Sequence, residues 1–262
     1  MIRNPLALRP DPERPIRDQI YEAARLGARG VVVDAIGDLS PHRLSETGRR
    51  EVRHILRTVE LSLTAVALPT RRPFDTTEQL DDRLRRAEAA FALAFELGTD
   101  VVLVRTGAIP PKEDVPRLEI FTDAVRELGL RADYRGVRLA IETGTEPGVT
   151  LRSFLDSLAV PSLAASIDPS SLLQIGIDPV QAVRELDEYV AHAYANDASG
   201  TSRVAAPNPR GIGFPPGALD WEEYLGALEE IAYRGFLTVW PPPGRSAVAQ
   251  FTAISDRLKR LG

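Results

Sequence analysis

Eight times along the chain, a short apolar run is followed by an amphipathic stretch, and no linker between them is long enough to mark a domain boundary. Strands are expected at residues 5–9 (PLALR), 30–35 (GVVVDA), 61–68, 100–105 (DVVLVR), 137–142 (VRLAIE), 163–168 (LAASID), 189–196 and 236–240 (FLTVW). Helices are expected at 13–26, 45–59, 77–97, 113–134, 150–158, 179–186, 220–232 and 246–261. Gly27 and Gly98 stand where a helix needs a residue tolerant of left-handed backbone, and Ser45 stands where one needs a cap. Repeated βα units form parallel sheets with right-handed crossovers, and eight of them close a barrel. The expectation is one α/β domain over residues 1–262, a (β/α)8 TIM barrel. The competing doubly wound sheet normally carries a glycine-rich phosphate turn after its first strand, where this chain has PDPERP at 10–15.

Composition narrows the function. The 262 residues match the length of one such barrel, and 44% hydrophobic with 26% charged residues suits a globular domain. With no cysteine, thiolate nucleophiles, zinc–cysteine sites and disulfides are excluded. A net charge of −5 offers no cationic footprint for nucleic acid or acidic lipid. Residues 1–8 have no basic-then-apolar leader, and no run approaches the ~20 apolar residues of a membrane span, so a cytoplasmic location is expected. Lys112 and Lys259 are the only lysines; one is in a proline-flanked loop and one in the last helix, so neither suits Schiff-base chemistry.

Barrel enzymes carry their reactive groups at the C-terminal ends of the strands and in the loops that follow. That rule selects Asp34, Arg105, Glu142, Asp168, Tyr194, Asn196, Asp197, Trp240 and Arg245, and it passes over His42 and His54. The sharpest signals are LAIETG at 139–144 and SIDPSSL at 166–172, each ending an apolar strand on a carboxylate, which is costly unless used or paired. A structural role, in which Glu142 and Asp168 bond arginines or loop backbone, stands beside the catalytic one.

These segments, with HAYANDA at 192–198, DWEEYLGALEEIAYRGFLTV at 220–239 and LGTDVVLV before the fourth strand, resemble the xylose-isomerase-like superfamily over essentially the whole chain. The resemblance implies a sugar or sugar-phosphate isomerase or epimerase. It also implies one divalent metal, Mn or Mg, held by a Glu, an Asp, a His and a second Glu on the last four strands. Glu142 and Asp168 match the first two of these positions and are implied as catalytic. Tyr194 and Trp240 fall at the other two, and Ser171 stands where a further histidine is frequent, so half of the implied metal set is replaced. His192 shares a strand face with Tyr194 one layer deeper, either as a substitute ligand or as a buried, hydrogen-bonded histidine. Tyr194 and Trp240 together are expected to form an aromatic floor for a sugar or to fill the space left by the metal. A homodimer is also implied.

The stretch 197–219, rich in Gly and Pro and carrying Arg203 and Arg210, is far longer than the usual 2–6-residue barrel connection and reads as a lid or binding loop. Arg245, after WPPPG, would meet the first amides of the closing helix at a site fit for phosphate or carboxylate. Asp34, Arg105, Tyr194, Asn196, Asp197, Arg210, Trp240 and Arg245 are therefore the expected substrate-binding set. Three functions stay open: a carbohydrate isomerase or epimerase with a remodelled site, a non-catalytic sugar-binding or regulatory barrel or partner subunit, and a metal-free lyase or hydrolase.

Overall fold

A computed structural model describes residues 4–197, 219–242 and 244–261. Its eight strands are β1 (Leu6–Leu8), β2 (Gly30–Asp34), β3 (Ser62–Leu68), β4 (Val101–Val104), β5 (Arg138–Glu142), β6 (Leu163–Ile167), β7 (Val190–Tyr194) and β8 (Leu237–Val239). All pair in parallel and in sequence order, and β8 closes on β1 through Leu6↔Leu237 and Leu8↔Val239. The expected barrel is the barrel observed. Register shifts between Val31 and Val32 and between Ala165 and Ser166 are the two irregularities in the ladders described.

The helices are α1 (Ile16–Arg25), α2 (Glu46–Thr58), α3 (Leu80–Leu97), α4 (Val115–Tyr134), α5 (Gly148–Leu158), α6 (Pro169–Gln174), α7 (Pro179–Leu186), α8 (Trp221–Glu230) and α9 (Ala247–Leu261). Ser45 caps α2 by accepting from the Gly48 amide, while Gly27 and Gly98 follow their helices at positive φ. The buried stripe of α2, Val52, Ile55 and Leu56, repeats at the spacing that puts one face of a helix against the sheet. On α1 the buried face is Ile16, Gln19, Ile20 and Ala23, with Ala24 half-buried beside it. The side-chain nitrogen of Gln19 donates to the Arg14 carbonyl at 2.7 Å.

Most apolar side chains lie between the strands and the helices. Inside the barrel a smaller cluster comprises Val32, Ala65, Ala67, Val101, Leu103, Ala140, Ala164 and Tyr194. Four alanines in that set leave volume that larger side chains from other strands can fill. Because side chains alternate along a strand, inward parity runs Ala7–Arg9, Val32–Asp34, Leu103–Arg105, Ala140–Glu142 and His192–Tyr194. Each series ends at the C-terminal mouth on a polar or charged group, which is how the fold assembles the site. Among the described residues no helix is long and apolar enough to cross a membrane.

Candidate functional site

The centre of the mouth is Arg9, the residue that follows β1 and that the strand-end reading did not single out. Its guanidinium is 5% exposed and forms a two-point pair with Asp34, from Nε to Oδ2 at 3.2 Å and from Nη2 to Oδ1 at 2.7 Å. From β1 the side chain also spans the mouth to β5, on the far side of an eight-stranded barrel, where Nη1 donates to Glu142 Oε1 at 3.1 Å. The same nitrogen donates to the Tyr194 hydroxyl at 2.5 Å, and that hydroxyl donates onward to Glu142 Oε1 at 2.8 Å. Trp240 lies 4.0 Å from the guanidinium carbon and stacks on Tyr194 with ring centroids 5.5 Å apart. Burial works against the charge of Arg9, but Tyr194, Asp34 and Glu142 more than offset it and hold the guanidinium protonated above its ordinary range.

Asp34, Glu142, Tyr194 and Trp240 are thus drawn together around one cation. Tyr194 is fully buried beneath Trp240, so the half-buried Trp240 is the part of this aromatic pair that a ligand would meet. Burial, partly opposed by the charge of Arg9, raises the Tyr194 phenol well above its ordinary value and keeps it neutral.

Arg105, exposed at the rim, puts Nε 3.6 Å from Glu142 Oε2. Asp168 follows β6 and does two things. As the N-cap of α6 it accepts from the Ser170 amide at 3.2 Å, with Pro169 in the first turn, which accounts for the DPSS part of its motif. Its Oδ2 accepts from the Ser171 hydroxyl at 2.5 Å, and its own amide donates to Thr143 Oγ1 at 2.9 Å. Burial raises the Asp168 carboxyl above the usual range, the Ser171 hydrogen bond opposes that, and the charge of Glu142 pushes it further up. The short α6 was not expected from hydrophobic period, because six residues are too few to show one.

His192 lies one layer below, as its parity with Tyr194 predicts. Nδ1 is 2.8 Å from Ser166 Oγ and Nε2 is 2.8 Å from Thr238 Oγ1, so both ring nitrogens are occupied. Burial, helped by the charge of Arg9, pushes its pKa down to about 3, and the ring is neutral. Below the ordinary value of 6.5 the unfolded chain binds a proton at this residue that the folded chain does not, so stability falls as pH drops from 6.5 toward 3. In urea denaturation at pH 7 and pH 5, His192→Gln is expected to show about 2 kcal/mol less acid sensitivity than the wild type. Equal sensitivity in the two proteins would refute this assignment.

The remaining strand-end residues sit to one side. Asn196 Oδ1 accepts from the Trp240 amide at 3.0 Å, and Asp197 accepts from the Leu219 amide at 3.4 Å and lies 3.8 Å from Arg257. Both border, with Trp240, Pro242 and Arg257, a cavity of about 360 Å³. Arg245 is exposed and makes no ion pair with the central cluster. Arg203, Arg210 and most of the 197–219 loop lie outside the described residues. On the opposite flank a cavity of about 660 Å³ is lined by Arg71, Arg72, Arg83 and Arg86 with Ile36 and Leu68. It shares Thr70, Arg71 and Arg72 with a cavity of about 370 Å³ that reaches Arg105. These arginines, two in the loop after β3 and two on α3, carried no motif or strand-end position to mark them in the sequence.

The divalent metal implied by the sequence resemblance does not fit this donor set. Among the described residues there is no group of three or more His, Cys, Asp or Glu side chains able to hold a metal ion. Of the two retained carboxylates, Glu142 is bonded to a guanidinium and Asp168 is bonded to a hydroxyl and a helix amide. The substitute histidine has no free nitrogen.

Comparison with known proteins agrees with the architecture. A family model described as xylose isomerase-like TIM barrel matches residues 20–259. Among solved structures, a xylose isomerase domain protein from Planctomyces limnophilus superposes with a TM-score of 0.80 at 20% identity, covering 98% of this chain and 94% of that one. A D-tagatose 3-epimerase-like protein gives 0.72 at 19% identity over 98% of both chains. The 3-keto-D-glucoside 4-epimerase of E. coli gives 0.72 at 15% identity, also over 98% of both. No curated protein matches the sequence. With the family model spanning all but the first 19 and the last three residues, the chain belongs to the xylose isomerase-like TIM-barrel family.

Proposed function

We propose that the chain acts on a small acidic carbohydrate, such as a sugar phosphate, by isomerase- or epimerase-type chemistry at the C-terminal mouth of the barrel. The observation that carries this reading is the pairing of Glu142 and Asp168 at the ends of adjacent strands β5 and β6. The two carboxylates are close enough for the charge of one to shift the other. Such reactions need one group to take a proton from carbon and another to return it, and carboxylates in unlike environments suit those roles. Asp168, pushed up by burial, suits the donor, while Glu142, flanked by Arg9 and Arg105, suits the acceptor. The acidic group of the substrate is inferred from the arginine-lined flank, where the side chains of Arg71 and Arg86 make no hydrogen bond or ion pair among the described residues. Trp240 supplies a ring face at the rim for the apolar side of a sugar. Sugar epimerases among the structural neighbours support the same class of chemistry.

A second reading, a binding barrel without turnover, is favoured by one fact: Glu142 Oε1 already accepts from both Arg9 and Tyr194. Incubating aldoses, ketoses and their phosphates with the protein in D2O, followed by NMR, separates the two. Exchange of a carbon-bound hydrogen beside a carbonyl, falling by roughly 10²–10⁴-fold in Glu142→Gln or Asp168→Asn, is expected. Saturable binding of a sugar phosphate with no exchange anywhere in the panel would replace the first reading by the second.

A further inference from the structure

We propose that the guanidinium of Arg9 is the resident cation of this site, holding the strand-end carboxylates in the way a divalent ion would, so that the mouth takes its ligand without metal. The proposal concerns the cation and holds whatever carbohydrate the mouth accepts, so it can stand or fall apart from the function proposed above.

The side chain is committed almost completely. A guanidinium carries five N–H donors, and here Nε and one N–H of Nη2 go to Asp34 while both N–H groups of Nη1 go to Glu142 and Tyr194. One face lies against Trp240 at 4.0 Å, and the surrounding groups keep the charge in place. From the end of β1 this long side chain reaches both Asp34 on the neighbouring strand and Glu142 across the barrel. The two residues that stand at the positions matched to the missing ligands both serve this arginine: the Tyr194 hydroxyl accepts from it and the Trp240 ring stacks on it. A divalent cation approaching Glu142 would meet a fixed positive charge already bonded to the carboxylate, and repulsion between like charges in a buried site is poorly screened.

Removing the guanidinium should therefore uncover a cation site. Manganese binding is measured by electron paramagnetic resonance on protein treated with EDTA and then freed of chelator, comparing wild type, Glu142→Gln, Arg9→Ala and Arg9→Ala/Glu142→Gln. Circular dichroism confirms that each is folded. The wild type is expected to leave the free Mn²⁺ signal undiminished up to ~1 mM, whereas Arg9→Ala binds one ion with a Kd of roughly 10⁻⁴–10⁻³ M, the range of weak oxygen-only sites. The double variant loses that binding at least tenfold. Stoichiometric Mn²⁺ binding by the wild type that disappears in Glu142→Gln overturns the proposal, as does a folded Arg9→Ala that binds no more Mn²⁺ than the wild type. Should the alanine variant not fold, Arg9→Ser carries the same expectation, and the wild-type titration decides against the proposal by itself if it shows the ion bound.

Discussion

Arg9→Met will lower folding stability by about 3–5 kcal/mol, the usual cost of stripping one partner from a buried ion pair. Methionine keeps much of the stem volume, so the loss reports charge more than packing. Asp34, 6% exposed, would then lack the counter-charge of Arg9, and Glu142, 8% exposed, would keep only the rim Arg105 at 3.6 Å. The triple variant Arg9→Met/Asp34→Asn/Glu142→Gln removes the stranded charges as well and is expected to recover a large part of the loss, because neutral amides at those positions cost far less to bury. Chemical denaturation of the three proteins measures both effects. A loss under about 1 kcal/mol for Arg9→Met would mean that the network behaves like a surface ion pair, against the burial seen here.

The second large effect is expected at Gly144, in the loop that leaves β5. Its φ of +120° is reached readily only without a side chain, and a Cβ built there would stand 2.4 Å from Ser171 Cβ. Gly144→Ala therefore combines backbone strain with a collision and is expected to cost about 2–4 kcal/mol. The collision matters for the site because Ser171 donates to Asp168. Because Ser171→Gly itself removes the hydrogen bond to Asp168, the comparison is made in that background, where Gly144→Ala should cost about half as much as in the wild type: the packing part is relieved and the backbone part remains. Thermal or urea unfolding of the single and double variants provides the comparison. A loss below about 0.5 kcal/mol for Gly144→Ala would show that the loop moves aside freely.

What the sequence made legible was the part that periodicity encodes. Runs such as GVVVDA and DVVLVR are apolar along their whole length because parallel strands are covered on both faces, and the helices between them carry one apolar stripe. Strand ends came out one or two residues shorter than expected, since terminal residues keep extended backbone without completing the ladder. The mouth was legible one strand at a time: Asp34, Glu142, Tyr194 and Trp240 each stand at a strand end and each belongs to the central cluster. What joins them was not. Arg9 sits between a leucine and a proline and reads as the solvent end of a short strand, and no local pattern says that its side chain turns inward. Its role depends on which strands lie opposite one another, a property of the closed sheet rather than of any segment. Asp168 shows the converse limit: a motif that reads as catalytic also supplies the cap of α6, and one carboxylate serves both.

The claim that an arginine organises this mouth is tested most directly by a crystal soaked in millimolar Mn²⁺ and measured at the manganese absorption edge. The predicted result is clear guanidinium density between Asp34 and Glu142 with no anomalous peak in contact with Glu142 or Asp168. A peak bridging those two carboxylates, with Arg9 swung out of the barrel, would contradict the account.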